Sequence, residues 1–327
     1  MNSPTLRRIL PFIAMALVVV VAPLIVKGHY LQSVGVLVGI YSLIVLGLCL
    51  LMGYAGQASL GHAAFYGLGA YTSAILTTKA HLNPWLGILA GVVVACSVAW
   101  FVGRPALRLR GHYLAMATLG FGIIVQIVFH EAEGLTGGFG GITSIPAFKL
   151  GALEIKGDLL NLYLVWTVVL LALALATNIM DSRIGRALRA IHDSEEAACA
   201  CGVDVTRTKL QVFVLSAGLA AVAGSLYAHY VGFISPDPFG MHFSVQLVVM
   251  VIVGGSRSIL GAVLGAALMT ALGQQIDKTE AIKDLSTVVY GGMLMVFVIF
   301  MPGGLVELLR QVKFGRRRRS QGVEAHG

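Results

Sequence analysis

The chain has 327 residues, of which 57% are hydrophobic and only 12% are charged, and its mean hydropathy is +0.86. Because soluble domains carry about 25% charged residues, this composition excludes an ordinary soluble enzyme or binding module. We predict an all-α polytopic membrane protein.

Ten apolar segments approach the roughly 20 residues that a membrane-spanning helix needs. They cover residues 9–26, 34–52, 63–77, 85–102, 113–129, 162–180, 210–231, 243–253, 259–276 and 285–301. The third and eighth are short, which predicts broken or re-entrant helices. The first leads into Lys27 without a small-residue cleavage site, so we expect a retained span. We predict one transmembrane domain over residues 1–309.

The basic residues indicate how these spans are oriented. With the N-terminus in the cytoplasm and spans alternating, 17 Lys and Arg lie inside and 6 outside, as the positive-inside rule requires. An even number of spans returns the C-terminus to the cytoplasm as a basic tail, residues 310–327. The run Arg316–Arg319 follows a span directly, so anionic membrane lipid is a nearer partner than nucleic acid, which we do not expect to bind.

Several chemistries lack the residues they need. No Asp or Glu falls inside a predicted span, which argues against proton coupling. The chain has no GxxxxGK[ST] phosphate-binding loop, so it is not expected to hydrolyse ATP itself. Its nine His and four Cys form no nucleophile–base pair or metal-ligand pattern. We therefore expect neither an enzyme nor a metal or cofactor site in this chain.

A polar, glycine-rich segment, residues 53–71, follows the second span. Five glycines within 17 residues weaken any helix here, and irregular polar backbone at membrane depth survives only where protein or a water-filled cavity surrounds it. The segment either lines a translocation pathway or forms a tight loop for close helix packing. Its candidate pathway residues are Gly53, Gly56, Gln57, Ser59, Gly61 and His62.

Further glycine-rich patterns occur along the chain. Residues 110–122 open the fifth span, where Thr118 and the glycines favour close helix packing over substrate contact. Residues 135–143 lie in a long outer segment, 130–161, and predict either a lid or receiver for another protein, or a structured loop without such a role. Three GxxxG patterns, beginning at Gly35, Gly87 and Gly261, permit close helix approach.

One polar stretch, residues 181–209, separates the sixth and seventh spans on the cytoplasmic side. Four apolar residues recur with helical spacing and predict an amphipathic helix: Ile184, Ala187, Leu188 and Ile191. Asp193 is a candidate cap for a second short helix, with Glu196 reaching back to it, and Gly202 suits the left-handed residue that ends that helix. Two short helices beneath the membrane would present a docking surface to a cytosolic partner.

The same stretch carries a specific resemblance. Glu196-Ala197-Ala198, followed after three residues by Gly202, resembles the EAA-x3-G signature of permease subunits of bacterial ABC importers. Most of the chain, from about residue 34 to 301, is similar to the branched-chain amino acid (leucine-isoleucine-valine) permeases. The stretches RGHY and TGG resemble the M-type of the two permeases. Ile123 and Arg257 depart from that family's usual Glu and Gly.

The resemblance implies an ABC importer permease fold in a bacterial inner membrane. It implies a second homologous permease, two cytosolic ATPases that bind ATP and Mg²⁺, and a periplasmic solute-binding protein. It also implies an ATPase-coupling role for Glu196, Ala197, Ala198 and Gly202, with Arg186 and Arg189 beside them. The alternative that the residues leave open is an ATP-independent carrier or channel for small polar solutes.

Overall fold

The computed structural model describes residues 28–109, 111–150 and 153–278, together with residues 291, 292, 295, 304 and 305. The predicted first span, 9–26, and the basic tail, 310–327, lie outside the described residues, as does the predicted tenth span, 285–301, apart from residues 291, 292 and 295.

Over these residues the helices are joined by loops, and the strands form one small hairpin. The helices are α1 (His29–Cys49), continued by a π-helical turn (Leu50–Tyr54), α2 (His62–Thr78), α3 (Pro84–Ala106), α4 (His112–Glu131), α5 (Glu133–Thr136), α6 (Asp158–Asp181), α7 (Arg183–Asp193), α8 (Glu195–Ala200), α9 (Val205–Val231), α10 (Met241–Gly254) and α11 (Ile259–Lys278). Short 3-10 turns cover Gly138–Gly140 and Asp237–Phe239, and strands β1 (Lys149–Leu150) and β2 (Leu153–Glu154) pair antiparallel.

Six of the predicted spans are helices long and apolar enough to cross a bilayer: those of α1, α3, α4, α6, α9 and α11. The third and eighth predicted spans correspond to α2, with 17 residues, and α10, with 14 residues. At 1.5 Å per residue these two are about 26 and 21 Å long, less than the bilayer's hydrocarbon core of about 30 Å. The chain is therefore a multi-pass membrane protein, and its third and eighth segments are short, as predicted.

Helices α1 and α9 form the centre of the helical packing. In the apolar 18-residue stretch of each helix, 83% of the residues are buried in α1 and 67% in α9, against 28% in α3 and 22% in α4. Helix α9 packs against α2, α3 and α1, while α1 also packs against α6 and α11. Helices α3 and α4 consequently keep broad apolar faces that lipid or another subunit must cover.

The glycine pairs lie at helix–helix contacts, as the GxxxG patterns predict. A β-carbon at Gly39 of α1 would meet the Val165 side chain of α6 at 2.6 Å. One at Gly87 of α3 would meet Ser73 of α2 at 2.6 Å, and Gly261 lies against the backbone of α10. These helices approach each other closely only because a side chain is missing at each contact.

The glycine-rich stretch 135–143 is a structured loop. The Thr136 hydroxyl donates to the Phe129 carbonyl at 2.7 Å and accepts from the Gly138 N–H at 3.2 Å. Ile142 forms an antiparallel bridge with Ile234, just beyond α9. Phe139 is 79% exposed at the tip of this loop, so the loop is anchored to the bundle while one aromatic ring stays accessible.

Candidate functional site

The polar segment begins where α1 loses its regular geometry. Residues Leu50–Tyr54 form a π-helical turn, a feature that often accompanies functional sites. The Tyr54 hydroxyl donates to the Arg257 carbonyl at 2.8 Å, and the Cys49 thiol to the Ser256 carbonyl at 3.1 Å. A β-carbon at Gly53 would overlap that Ser256 carbonyl. The end of α1 is thus pressed against the turn that joins α10 to α11.

A chain of buried polar side chains follows this turn. The Ser59 hydroxyl lies 3.1 Å from Nδ1 of His62, and Nε2 of His62 lies 2.6 Å from the Ser216 hydroxyl of α9. His62 and Ser216 are fully buried and Ser59 almost so. Both imidazole nitrogens therefore have partners, and the imidazole ties the start of α2 to the middle of α9.

Helix α4 contacts the same segment through Thr118. Its hydroxyl accepts from the Leu60 N–H at 3.0 Å, and a β-carbon at Gly61 would lie 2.6 Å from the Thr118 carbonyl. The buried Gln57 amide donates to the Ala55 carbonyl at 3.1 Å, whereas Gly56 is exposed. The structure thus brings the predicted pathway residues into one cluster whose polar groups are largely paired within the chain. Their role in translocation stays a prediction.

The polar stretch 181–209 folds into two capped helices. The Ser182 hydroxyl accepts from the Ile184 N–H at 3.1 Å and begins α7, while the Ser194 hydroxyl accepts from the Ala197 N–H at 3.2 Å and begins α8. The predicted cap at Asp193 is wrong, because Asp193 ends α7 and the extended Ser194 separates the two helices. Glu196 accordingly occupies the second helical position. Ser194 before two acidic residues is a recognisable cap signal that the prediction missed.

Gly202 ends α8 as predicted, with a left-handed φ of +81°. The Gly202 N–H donates to the Cys199 carbonyl at 2.9 Å, and the Val203 N–H donates to the Ala198 carbonyl at 3.0 Å. This pair of bonds is a Schellman motif, which requires the left-handed residue at this position. A β-carbon at Gly202 would meet nothing within 4 Å, so backbone conformation alone demands glycine here.

Helix α7 rests on the end of α6. Gly185, Leu188 and Ile191 are buried, whereas Ile184 is 40% exposed, so Leu188 and Ile191 of the predicted apolar face pack inward and Ile184 does not. The face follows a spacing of three residues, and its first member is the glycine that lets α7 approach the α6 backbone closely.

The predicted coupling residues differ in their surroundings. A guanidinium N–H of Arg189 donates to the Met180 carbonyl at 3.0 Å and so fastens α7 to α6. Arg186, Glu196 and Ala197 are exposed, while Ala198 is buried. The accessible part of the EAA signature is therefore the outer face of α8.

An ion pair that the sequence does not reveal holds α8 in place. The ammonium of Lys209 in α9 lies 2.6 Å from Oε1 of Glu195, with the Lys209 side chain 3% exposed and that of Glu195 29% exposed. A buried ammonium is costly unless it is paired, so this contact fixes α8 against the first turns of α9. No periodicity or motif links two residues 14 positions apart across a turn.

Helix α7 also touches the polar segment after α1. A β-carbon at Gly56 would lie 3.2 Å from Nδ1 of His192, an atom that is buried without a hydrogen-bond partner. Nearby, the Arg257 guanidinium lies 3.9 Å from the Asp193 carboxylate. Burial lowers the pKa of His192, Arg257 lowers it further, and Asp193 opposes both. Burial thus favours the neutral form of the His192 imidazole, and through this side chain α7 contacts the irregular segment.

The sequence of the chain is similar to the sequences of known permeases. The sequence pattern of the family described as "Branched-chain amino acid transport system / permease component" matches residues 30–298. The chain is 31% identical to the branched-chain amino acid permease LivM of Salmonella typhimurium strain LT2, over 98% of this chain and 80% of the relative. Its identity to LivM of Escherichia coli K12 is also 31%, over 94% and 77%. With LivH of the same strain it is 27%, over 85% and 96%. No solved structure matches the chain.

Proposed function

The chain belongs to the family of permease components of branched-chain amino acid transport systems, and on that premise we propose that it is one transmembrane subunit of an ATP-driven importer. In this proposal it forms half of a translocation pathway. Its M-type relatives are the permeases LivM, and the similar LivH proteins are the model for a second, homologous permease beside it. The transported solutes are branched-chain amino acids or similar small polar molecules.

The observation that carries this proposal is the pair of capped helices α7 and α8. A loop that only joined two spans would need neither two serine caps nor a buried ion pair. Helix α8 presents Glu196 and Ala197 outward while the Lys209–Glu195 pair holds it to α9. This is a short, rigid, accessible helix, as expected of a surface that binds a cytosolic ATPase and transmits force.

The contacts define a route for that force. We propose that an ATPase closing against α8 displaces α7 with it, because only Ser194 separates the two helices. Helix α7 bears on Gly56 through His192, and the segment after Gly56 is bonded to α9 through His62 and Ser216. A movement at the cytoplasmic surface thereby reaches the buried polar cluster without any flexible linker. Gly53, Gly56, Gln57, Ser59, Gly61, His62 and Thr118 are the proposed pathway-lining residues.

The remaining components follow from this arrangement. Two cytosolic subunits would bind ATP and Mg²⁺ and supply the energy, and this chain would hold no cofactor. A periplasmic solute-binding protein would deliver substrate to the outer face, where Phe139 is exposed. The subunit would lie in a bacterial inner membrane with both termini in the cytoplasm, because that placement satisfies the positive-inside rule.

A competing function is an ATP-independent carrier or channel, which needs no docking helix. Substitution of Gly202 by Asp separates the two, since it distorts the turn that ends α8. Gly232 ends α9 with a φ of +74°, and a β-carbon there would meet only the Ile145 carbonyl oxygen, at 3.9 Å. It offers a matched control with the same conformation at the other end of the bundle. We expect leucine uptake into cells to collapse in Gly202→Asp and to persist in Gly232→Asp, with both proteins present in the membrane. Unchanged uptake in Gly202→Asp would refute the coupling role.

A further inference from the structure

A basic groove lies where α3 ends and α9 begins. It encloses about 700 Å³ and is lined by Trp100, Arg104 and Arg108 on one side and by Thr206 and Arg207 on the other. Asp204 also lines it, but one oxygen of that carboxylate accepts a hydrogen bond from the backbone N–H of Arg207 at 2.9 Å and so caps α9. Three guanidinium groups and one carboxylate leave the groove with a net positive charge.

The arginines are arranged around an aromatic ring. The guanidinium carbon of Arg104 lies 3.7 Å from the centre of the Trp100 ring, in cation–π contact. Stacking leaves the edge of the guanidinium, with its N–H donors, free for an anion. Planar arginine donors suit phosphate oxygens especially well.

The groove continues an exposed stripe along α3. Leu86, Leu89 and Val93 are 53 to 64% exposed, Trp100 is 38% exposed, Arg104 follows on the same face, and Arg108 lies just beyond the end of the helix. Leu86 and Arg104 lie 18 residues apart, about 27 Å along a helix, which is close to the thickness of the hydrocarbon core. Read from one end, the stripe offers an apolar surface, an interfacial tryptophan and then fixed positive charge.

We propose that this groove binds the phosphate headgroup of an anionic phospholipid, whose acyl chains lie along the half of the α3 stripe that is nearer the arginines. A free phosphate would use the arginines but not Val93, which lies about 16 Å from Arg104 along the helix, the depth of about one leaflet. A cytosolic protein would reach the arginines but not the membrane-embedded stripe. Only an amphiphile matches both halves. Basic pockets between membrane helices are suited to such headgroups. The inference requires the membrane placement of α3, but not ATP-driven transport.

The groove also lies close to α8. Arg108 lines a second groove, of about 620 Å³, together with Glu195, Glu196 and Lys209. A lipid phosphate that holds Arg108 therefore lies next to the ion pair that positions α8. We infer that bound anionic lipid steadies the surface of α8.

The test counts lipids on the purified full-length protein in its native assembly. Nanodiscs of phosphatidylcholine with a minor fraction of phosphatidylglycerol are the probe, and native mass spectrometry after gentle release reports the phospholipids retained. The variants are Arg104→Gln/Arg207→Gln and Trp100→Leu, with Arg183→Gln as a control that removes an exposed arginine outside the groove. Thermal unfolding in lipid-free detergent checks that each variant is folded.

We expect selective retention of phosphatidylglycerol by the wild type and by Arg183→Gln. Each groove arginine contributes about fivefold to the affinity, so the double variant loses about 25-fold. Trp100→Leu, which keeps an apolar side chain but removes the ring beneath Arg104, loses about two- to fivefold. If the double variant does not fold, Trp100→Leu alone decides.

Three results would overturn the proposal. One is equal retention of phosphatidylglycerol by wild type and folded groove variants. Another is displacement of the lipid by inorganic phosphate at matched concentration, which would make the groove an anion site without acyl specificity. The third is loss of a protein subunit, rather than of lipid, from the double variant, which would make the groove a subunit contact. Because lipid is counted independently of uptake, the first two results leave the import proposal untouched, and the third would identify a subunit contact without deciding whether transport is driven by ATP.

Discussion

Replacing Glu195 by Gln removes the partner of the nearly buried Lys209 ammonium. The charges are 2.6 Å apart, and Lys209 is only 3% exposed, so the ammonium cannot recover full hydration when its partner is neutralised. Breaking a fully buried pair costs about 3–5 kcal/mol. Glu195 is 29% exposed, so water screens part of the interaction, and we expect about 2–3 kcal/mol.

Thermal unfolding of the purified protein in detergent measures this loss. At about 2 °C for each kcal/mol, Glu195→Gln should lower Tm by about 4–6 °C. The neighbouring Glu196→Gln, on the exposed side of α8, should leave Tm unchanged within about a degree. The two adjacent substitutions thus remove the same charge from the same helix and differ only in what they contact.

A double-mutant cycle completes the test. Replacing both partners, as Glu195→Gln/Lys209→Met, leaves no unpaired buried charge, so most of the lost stability should return. Equal Tm values for Glu195→Gln and Glu196→Gln would refute the view that the Lys209–Glu195 pair holds α8. A double variant less stable than both Glu195→Gln and Lys209→Met alone would also refute it.

Three further outcomes are expected. Gly202→Ala should lower the stability of α8 by about 1 kcal/mol, because alanine disfavours the left-handed conformation of this residue. Gly202→Asn should lower it less, because asparagine tolerates that conformation. Measurements of helix content and of leucine uptake check both variants. Gly53→Ala should abolish folded protein, since its β-carbon overlaps a backbone carbonyl of the turn after α10, whereas Gly120→Ala has open space and should fold; monodisperse yield on size exclusion separates them. Folding lowers the pKa of His192 below its ordinary value of 6.5, so the unfolded chain binds a proton at this residue more readily than the folded protein does. The free energy of unfolding should therefore drop as the pH falls from 7.5 to 5.5. His192→Gln should flatten that drop, and Arg257→Gly, which removes a cause of the shift, should reduce it.

Much of the helical framework is readable from the sequence, because apolar runs of span length leave few alternatives in a membrane. The short lengths of α2 and α10 and the glycine contacts between helices follow from composition alone. The left-handed Gly202 was also predictable, since its conformation belongs to the local turn. Its surroundings are open, so no distant residue decides it.

The errors concern features that depend on tertiary packing or on a choice between adjacent caps. Asp193 and Ser194 are both good capping residues, and the orientation of α7 on α6 decides which one begins α8. The same packing buries Gly185, which the apolar pattern does not indicate. The contacts of Lys209 with Glu195, of His192 with Gly56 and of His62 with Ser216 join separate elements. They carry no signature in one sequence.

Co-purification tests the central claim, that α7 and α8 connect this permease to a cytosolic ATPase. Tagged protein is extracted from native membranes in mild detergent, and mass spectrometry identifies what accompanies it. The account predicts a second permease and one or two ATPases, with the ATPases lost from Gly202→Asp and retained by Gly232→Asp. Recovery of this chain without an ATPase, in detergent that preserves other membrane assemblies, would contradict the account and favour an independent carrier or channel.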